Sequence, residues 1–154
     1  MNYRISMGLI LVAALVSSIG CGKAGHLSGL VPAKGVVTYK GSPVEGATVM
    51  FIPDGAESLG QRTASAMTDA EGKFVTMTLQ PEDGIFPGPY KVTIKQDVPD
   101  KVYTKEELEA HPMGLPAPTY TNKLPAKYAD AKSTPLSITL EKKGDTGIMF
   151  ELTD

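Results

Sequence analysis

Tryptophan is absent from this chain, cysteine occurs once and histidine twice, and each scarcity removes a class of function. Without tryptophan the sequence lacks the aromatic that sugar-binding faces would be expected to use, which counts against, without excluding, a carbohydrate reading. A lone cysteine, Cys21, permits no intrachain disulfide and no cysteine-rich metal cluster. The two histidines, His26 and His111, make no motif with each other, and each reads as a solvated loop residue. Hydrolysis and proton transfer usually draw on histidine, cysteine or clustered carboxylates, so no nucleophile, base or metal set is legible and no cofactor is implied. Arginine is nearly missing too. Past residue 20 only Arg62 remains, and since residues 1–20 hold Arg4 as their one charged side chain, the rest of the chain carries 14 basic against 17 acidic groups. No basic stripe for nucleic acid is expected from that balance.

What the chain has in quantity is punctuation. Its 16 glycines and 12 prolines favour many short strands over long helices, and 154 residues with an ordinary 42% apolar fraction suit one domain plus a targeting segment. Residues 1–20 supply that segment: a short positive start with Arg4, a charge-free apolar run over 7–16, then Ser17-Ser18-Ile19-Gly20 leading into Cys21. This resembles a bacterial lipoprotein signal peptide, in which a small residue precedes a cysteine that becomes the lipid-modified N-terminus. Ser18 departs from the leucine most common there. A plain secretory signal peptide and a transmembrane anchor are the alternatives, the latter opposed by the shortness of the run. The resemblance implies a membrane partner through acylated Cys21, held by several acyl chains. Gly22, where an aspartate would resemble an inner-membrane retention signal, favours the outer membrane or cell surface. Residues 21–32, with Gly22, Gly25 and Gly29, read as a flexible tether.

Residues 33–154 form the expected domain. The stretch 35–52 reads as an opening β-hairpin, Val37 and Tyr39 sharing one parity and Ala47, Val49 and Phe51 another, joined by a loop wider than two residues in which Gly41 and Gly46 take conformations that side chains resist. Asp69-Ala70-Glu71-Gly72 is a turn by composition; too few further oxygen ligands follow for calcium. Tyr90, after Pro87-Gly88-Pro89, sits where a buried tyrosine corner would. Alternation places strands near 33–40, 47–52, 63–68, 74–79, 90–95, 135–140 and 147–152, an all-β pattern of seven short antiparallel strands that suggests a sandwich. Between the fifth and sixth, residues 96–134 make a proline-rich excursion. Thr104-Lys105-Glu106-Glu107 predicts a capping box and a short helix to about Ala110. A loop of this length serves either a function or the cover of a sheet edge.

The succession Gly35-Val36-Val37, Pro43-Val44-Glu45-Gly46-Ala47-Thr48-Val49, Thr68-Asp69-Ala70-Glu71-Gly72-Lys73-Phe74 and Pro87-Gly88-Pro89-Tyr90-Lys91-Val92 resembles the carboxypeptidase regulatory-like domain. Lys123-Leu124-Pro125-Ala126-Lys127-Tyr128-Ala129-Asp130 and Phe150-Glu151-Leu152 resemble a lipoprotein subfamily carrying it. The resemblance implies a transthyretin-like, or prealbumin-like, seven-stranded antiparallel Greek-key β-sandwich of the Ig-like class, in a group that is mostly non-catalytic. Two enzyme branches of related fold lose their residues here. The hydroxyisourate hydrolases need histidines, arginine and a terminal Tyr-Arg-Gly-Ser where this chain has Glu151-Leu152-Thr153-Asp154 and, past residue 20, the one arginine Arg62, and the intradiol dioxygenases need two tyrosines and two histidines on iron, for which His26 in the tether is badly placed. A lysine isopeptide bond, formed in some surface relatives, would fall to Lys34 or Lys40 with an acid such as Glu151 or Asp154, although solvent keeps a lysine charged and poorly nucleophilic.

The expected function is therefore that of a non-catalytic, membrane-anchored binding or assembly module of the cell envelope, its partner an envelope protein or a polysaccharide and not a nucleic acid. A carbohydrate-binding surface domain is the alternative. Its candidate stacking residues are Tyr103, Tyr120 and Tyr128, all in the excursion.

Overall fold

The computed structural model describes residues 27–55 and 61–154. Its strands are, in chain order, β1 (Ala33–Tyr39), β2 (Ser42–Pro43), β3 (Thr48–Pro53), β4 (Ala64–Met67), β5 (Lys73–Val75), β6 (Gly88–Lys95), β7 (Asp97–Pro99), β8 (Tyr120–Asn122), β9 (Ser137–Leu140) and β10 (Asp145–Leu152). A six-residue helix, α1 (Lys105–Ala110), and a 3-10 turn at Ala126–Tyr128 complete the list. A strand lies at each expected place, with shifted ends, while β2, β7 and β8 were not legible as strands.

Two four-stranded sheets share one core. In the first, β1 has β10 on one side and, on the other, β5 along its first half and β2 along its second; the second runs β4-β3-β6-β9, and β7 with β8 makes a separate ribbon. Inward parity supplies Val37, Phe74, Ile148 and Phe150 from the first sheet and Val49, Phe51, Tyr90 and Val92 from the second. Past β5 the chain bridges Met77 to Ser65 of β4 through a pair of backbone hydrogen bonds, 2.8 and 2.9 Å, which joins the two sheets along one side. At the start, Val31 pairs with Ile85, so the sandwich begins inside the stretch expected as tether.

The opening stretch is not the hairpin that its alternation suggested. Tyr39 pairs with Ser42 around a two-residue turn, Lys40-Gly41, whose φ angles of 52° and 79° are those of the type I′ turn favoured by strand twist. The chain then crosses the core at Val44 and Ala47, and β3 pairs with β4 and β6 in the other sheet. Period-two alternation says which face of a strand is buried, not which strand lies beside it. The antiparallel expectation also fails for one pair: β1 and β10 run parallel, from Gly35 opposite Ile148 to Tyr39 opposite Leu152. Parallel neighbours need a long crossover, here everything between residues 40 and 144.

Local chemistry fixes the turns. The Asp69 carboxylate accepts the amides of Glu71 and Lys73 at 3.0 and 2.7 Å, the work of a turn residue. Tyr90 is a tyrosine corner: its ring is buried against Phe51 and its hydroxyl donates to the Phe86 carbonyl at 2.9 Å. Burial pushes this phenol up to about 12 from the ordinary 10.0. The unfolded phenol thus ionises before the folded one, and the associated stability is complete below pH 10 and is lost as pH rises through 12. Tyr90→Phe should lose about 1 kcal/mol near neutrality and should lack the part of the alkaline decline that Tyr90 causes. Urea midpoints of both chains on either side of that window check this.

Candidate functional site

Residues 96–134 build an arm that organises itself. Its base is a ribbon pairing Asp97 with Asn122, Val98 with Thr121 and Pro99 with Tyr120. The Asn122 side-chain oxygen accepts the amides of Gln96 and Leu124, at 3.0 and 3.2 Å, while the Gln96 side chain donates to the Glu45 carbonyl at 2.8 Å and ties the arm to the sandwich. Asp100 accepts the hydroxyls of Thr119 and Thr121, and these hydrogen bonds hold its carboxyl below the usual carboxylate range. Farther out, Thr104 and Glu107 form the expected capping box of α1. Lys101, 2.9 Å from Glu107, and the Thr104 amide likewise depress the Glu107 carboxyl.

The helix buries none of its side chains. The arm exposes Val98, Val102 (78%), Leu108 (55%), Met113 (100%) and Tyr120 (62%). The returning half behaves differently. Leu124 and Tyr128 enter the core, and the Thr134 hydroxyl donates to the Val92 carbonyl at 2.7 Å.

The three candidate tyrosines are thereby separated. Tyr120 stands exposed on the ribbon. Tyr103 is half-buried, its hydroxyl donating to the Pro116 carbonyl at 2.8 Å and the Lys101 ammonium lying 4.7 Å from its ring centre. Tyr128 is buried at 3% exposure, and its hydroxyl both donates to the Thr153 carbonyl and accepts the Thr153 amide, each at 3.0 Å. That ring cannot stack on a sugar where it lies. No common outward face joins the three.

A shallow groove of about 520 Å³ lies on the outer face of the first sheet, where Val36, Val75 and Met149 make an apolar stripe between Lys34 and Lys73. A smaller one of about 320 Å³ follows around β5, lined by Met67 and Met77 among others. The five methionines among the described residues, at 50, 67, 77, 113 and 149, are all exposed. Methionine normally fills core gaps, so sequence reasoning, which looked for aromatic rings, missed this surface; the unusual signal was that alternation put Met50 and Met149 on outward parity.

His111 ends α1, exposed, its Nδ1 2.9 Å from the Glu107 carbonyl oxygen. Among the described residues there is no group of three or more histidine, cysteine, aspartate or glutamate side chains placed to hold a metal ion. Of the isopeptide candidates, Lys40 does meet Asp154, Nζ to Oδ2 2.5 Å, with the Tyr39 hydroxyl donating to the same carboxylate. The pair is exposed and charged: Asp154 raises the Lys40 ammonium, and Lys40 first, then Tyr39, lowers the Asp154 carboxyl. Amide formation needs a neutral amine, the form this contact disfavours. Cys21, His26 and the signal segment lie outside the described residues, and among the described ones no helix is long and apolar enough to cross a membrane. No protein-family model, curated protein or solved structure matches the chain.

Proposed function

We propose that this chain is a non-catalytic lipoprotein, anchored through acylated Cys21 at the outer membrane or cell surface, whose transthyretin-like, seven-stranded Greek-key sandwich serves as a binding or assembly module of the cell envelope. The arm over residues 96–134 is its contact surface. One observation carries the reading: the arm holds its own backbone in order yet leaves Val98, Val102, Leu108, Met113 and Tyr120 in solvent, around a helix that buries none of its side chains. Exposed apolar surface on a self-ordered element marks an interaction site. The tyrosine corner and the seven strand positions support the carboxypeptidase regulatory-like resemblance. The leader, ending in Gly20-Cys21, supports the anchor.

Crosslinking in intact cells, followed by detergent extraction and capture through a C-terminal tag, tests this. A single protein partner in stoichiometric amount is expected, and Val102→Asp with Leu108→Asp should release it while leaving the sandwich folded, since neither side chain is buried. Envelope glycan recovered without protein would replace this reading with the carbohydrate one. The exposed ring of Tyr120 favours that alternative, and Tyr120→Ala should then release the glycan. Recovery of neither would sink both.

A further inference from the structure

Sheet edges are where a β protein either blocks further pairing or invites it. In the second sheet β4 has its neighbour in Met77, and β9 is four residues long, with Pro135 just before it and Lys142 and Lys143 just after. The first sheet ends differently. β10 runs from Asp145 to Leu152, has β1 as its one strand partner among the described residues, and contains neither lysine nor proline.

Backbone direction identifies which of its groups are open. The Leu152 carbonyl accepts from the Lys40 amide at 3.0 Å, so Leu152, Phe150 and Ile148 turn their amides and carbonyls toward β1. By alternation, Met149 and Glu151 turn theirs away, and among the described residues no strand lies on that side. Both ends of this window are closed. At one, the register shifts and the Asp145 carboxylate accepts the Gly147 amide at 2.8 Å; at the other, the Tyr128 hydroxyl occupies both backbone groups of Thr153.

We propose that this window pairs with the same window of a second copy, antiparallel about a two-fold axis at Met149, which joins two first sheets into one. The strand is its own complement in that register. Met149 faces Met149 on the outer side beside Val36, Ile148 faces Phe150 on the inner side, and the Glu151 amide meets the Gly147 carbonyl while the Gly147 amide stays with the Asp145 carboxylate, so apolar meets apolar at the centre of both faces and no like charges oppose. The neighbouring registers fail. Centring on Glu151 would set two carboxylates opposite each other and run into the Thr153 groups already held by Tyr128. Centring on Gly147 would run into the register shift and the Asp145 cap. Both copies contribute the same patch, as two-fold pairing requires.

Directly opposed residues that exchange both backbone hydrogen bonds have Cα atoms about 5.5 Å apart, within the span a disulfide bridges. Full-length Met149→Cys chain in bacterial membranes, treated with diamide, should therefore run at twice the monomer mass and return to monomer on reduction. Met113→Cys, fully exposed on the arm, should give no more dimer than the unsubstituted chain. Met149→Pro removes an outward amide without touching the bonds to β1, so in detergent it should sediment as a monomer with an unchanged far-ultraviolet spectrum while the unsubstituted chain sediments as a dimer. Equal dimer from the Met149 and Met113 variants, a monomeric unsubstituted chain, or a disulfide from Met149→Cys to a protein of different mass would each overturn the proposal. The edge and the arm are separate surfaces, so either can fail without the other.

Discussion

Truncation of Phe51 to alanine is expected to cost about 3 to 5 kcal/mol, the range for removing a fully enclosed aromatic ring. Phe51 is fully buried on β3, and its ring centre lies 6.0 Å from that of Phe74, 6.3 Å from Tyr90 and 6.3 Å from Phe150. Phe74 and Phe150 belong to the first sheet and stack on each other with planes 10° apart, so the Phe51 ring is the piece of the second sheet inserted against that stack. Removing it deletes transfer free energy and leaves a cavity that neighbours fixed in two hydrogen-bonded ladders cannot fill. Against a domain stability of about 5 to 15 kcal/mol the loss is large. Urea unfolding should show the midpoint fall with the slope unchanged; a midpoint within a few tenths of a molar of the unsubstituted chain would mean that the sheets are not held together here.

Gly35→Ala is expected to cost about 3 kcal/mol, the upper part of the range for forcing volume into a packed core. A Cβ there would lie 2.3 Å from the Ile148 carbonyl oxygen, 2.7 Å from Phe74 Cζ and 2.8 Å from Ile148 Cβ. Gly35 pairs with Ile148 on one side and with Phe74 on the other, so relief of the clash must part β1 from β10 or from β5. Its requirement is space. Gly41 is the contrast: with φ at 79° and nothing within 4 Å of an added Cβ, Gly41→Ala should cost only the conformational penalty, about 1 to 2 kcal/mol. Thermal unfolding of the two variants side by side should place Gly35→Ala well below Gly41→Ala, and the reverse order would refute the close approach of β10.

The candidate surfaces divide along the same line between what is local and what is not. The helix of the arm was legible because a capping box is a four-residue signal, and Thr104 and Glu107 satisfy it on their own. That the arm stands on a ribbon was not: β7 and β8 are three residues each, separated by the helix, and their pairing depends on Asn122 and Asp100 reaching across. The tyrosines show the same limit. Nothing adjacent to Tyr128 distinguishes it from Tyr120, yet one closes the edge of β10 at Thr153 and the other faces solvent.

The sequence by itself determined the class of fold, the places of the seven main strands, the tyrosine corner, the turn at Asp69 and the inward set that became the core. Alternation, turn chemistry and caps act over a few residues and are written where they act. Only tertiary structure decided that the chain crosses between sheets after Pro43, that β1 and β10 run parallel, and that β10 is left as an edge. Those outcomes depend on which apolar faces meet across the core. Period two makes every half-buried strand look alike, so it cannot name a strand's neighbour, and the open amides of Met149 and Glu151 exist only because of that choice.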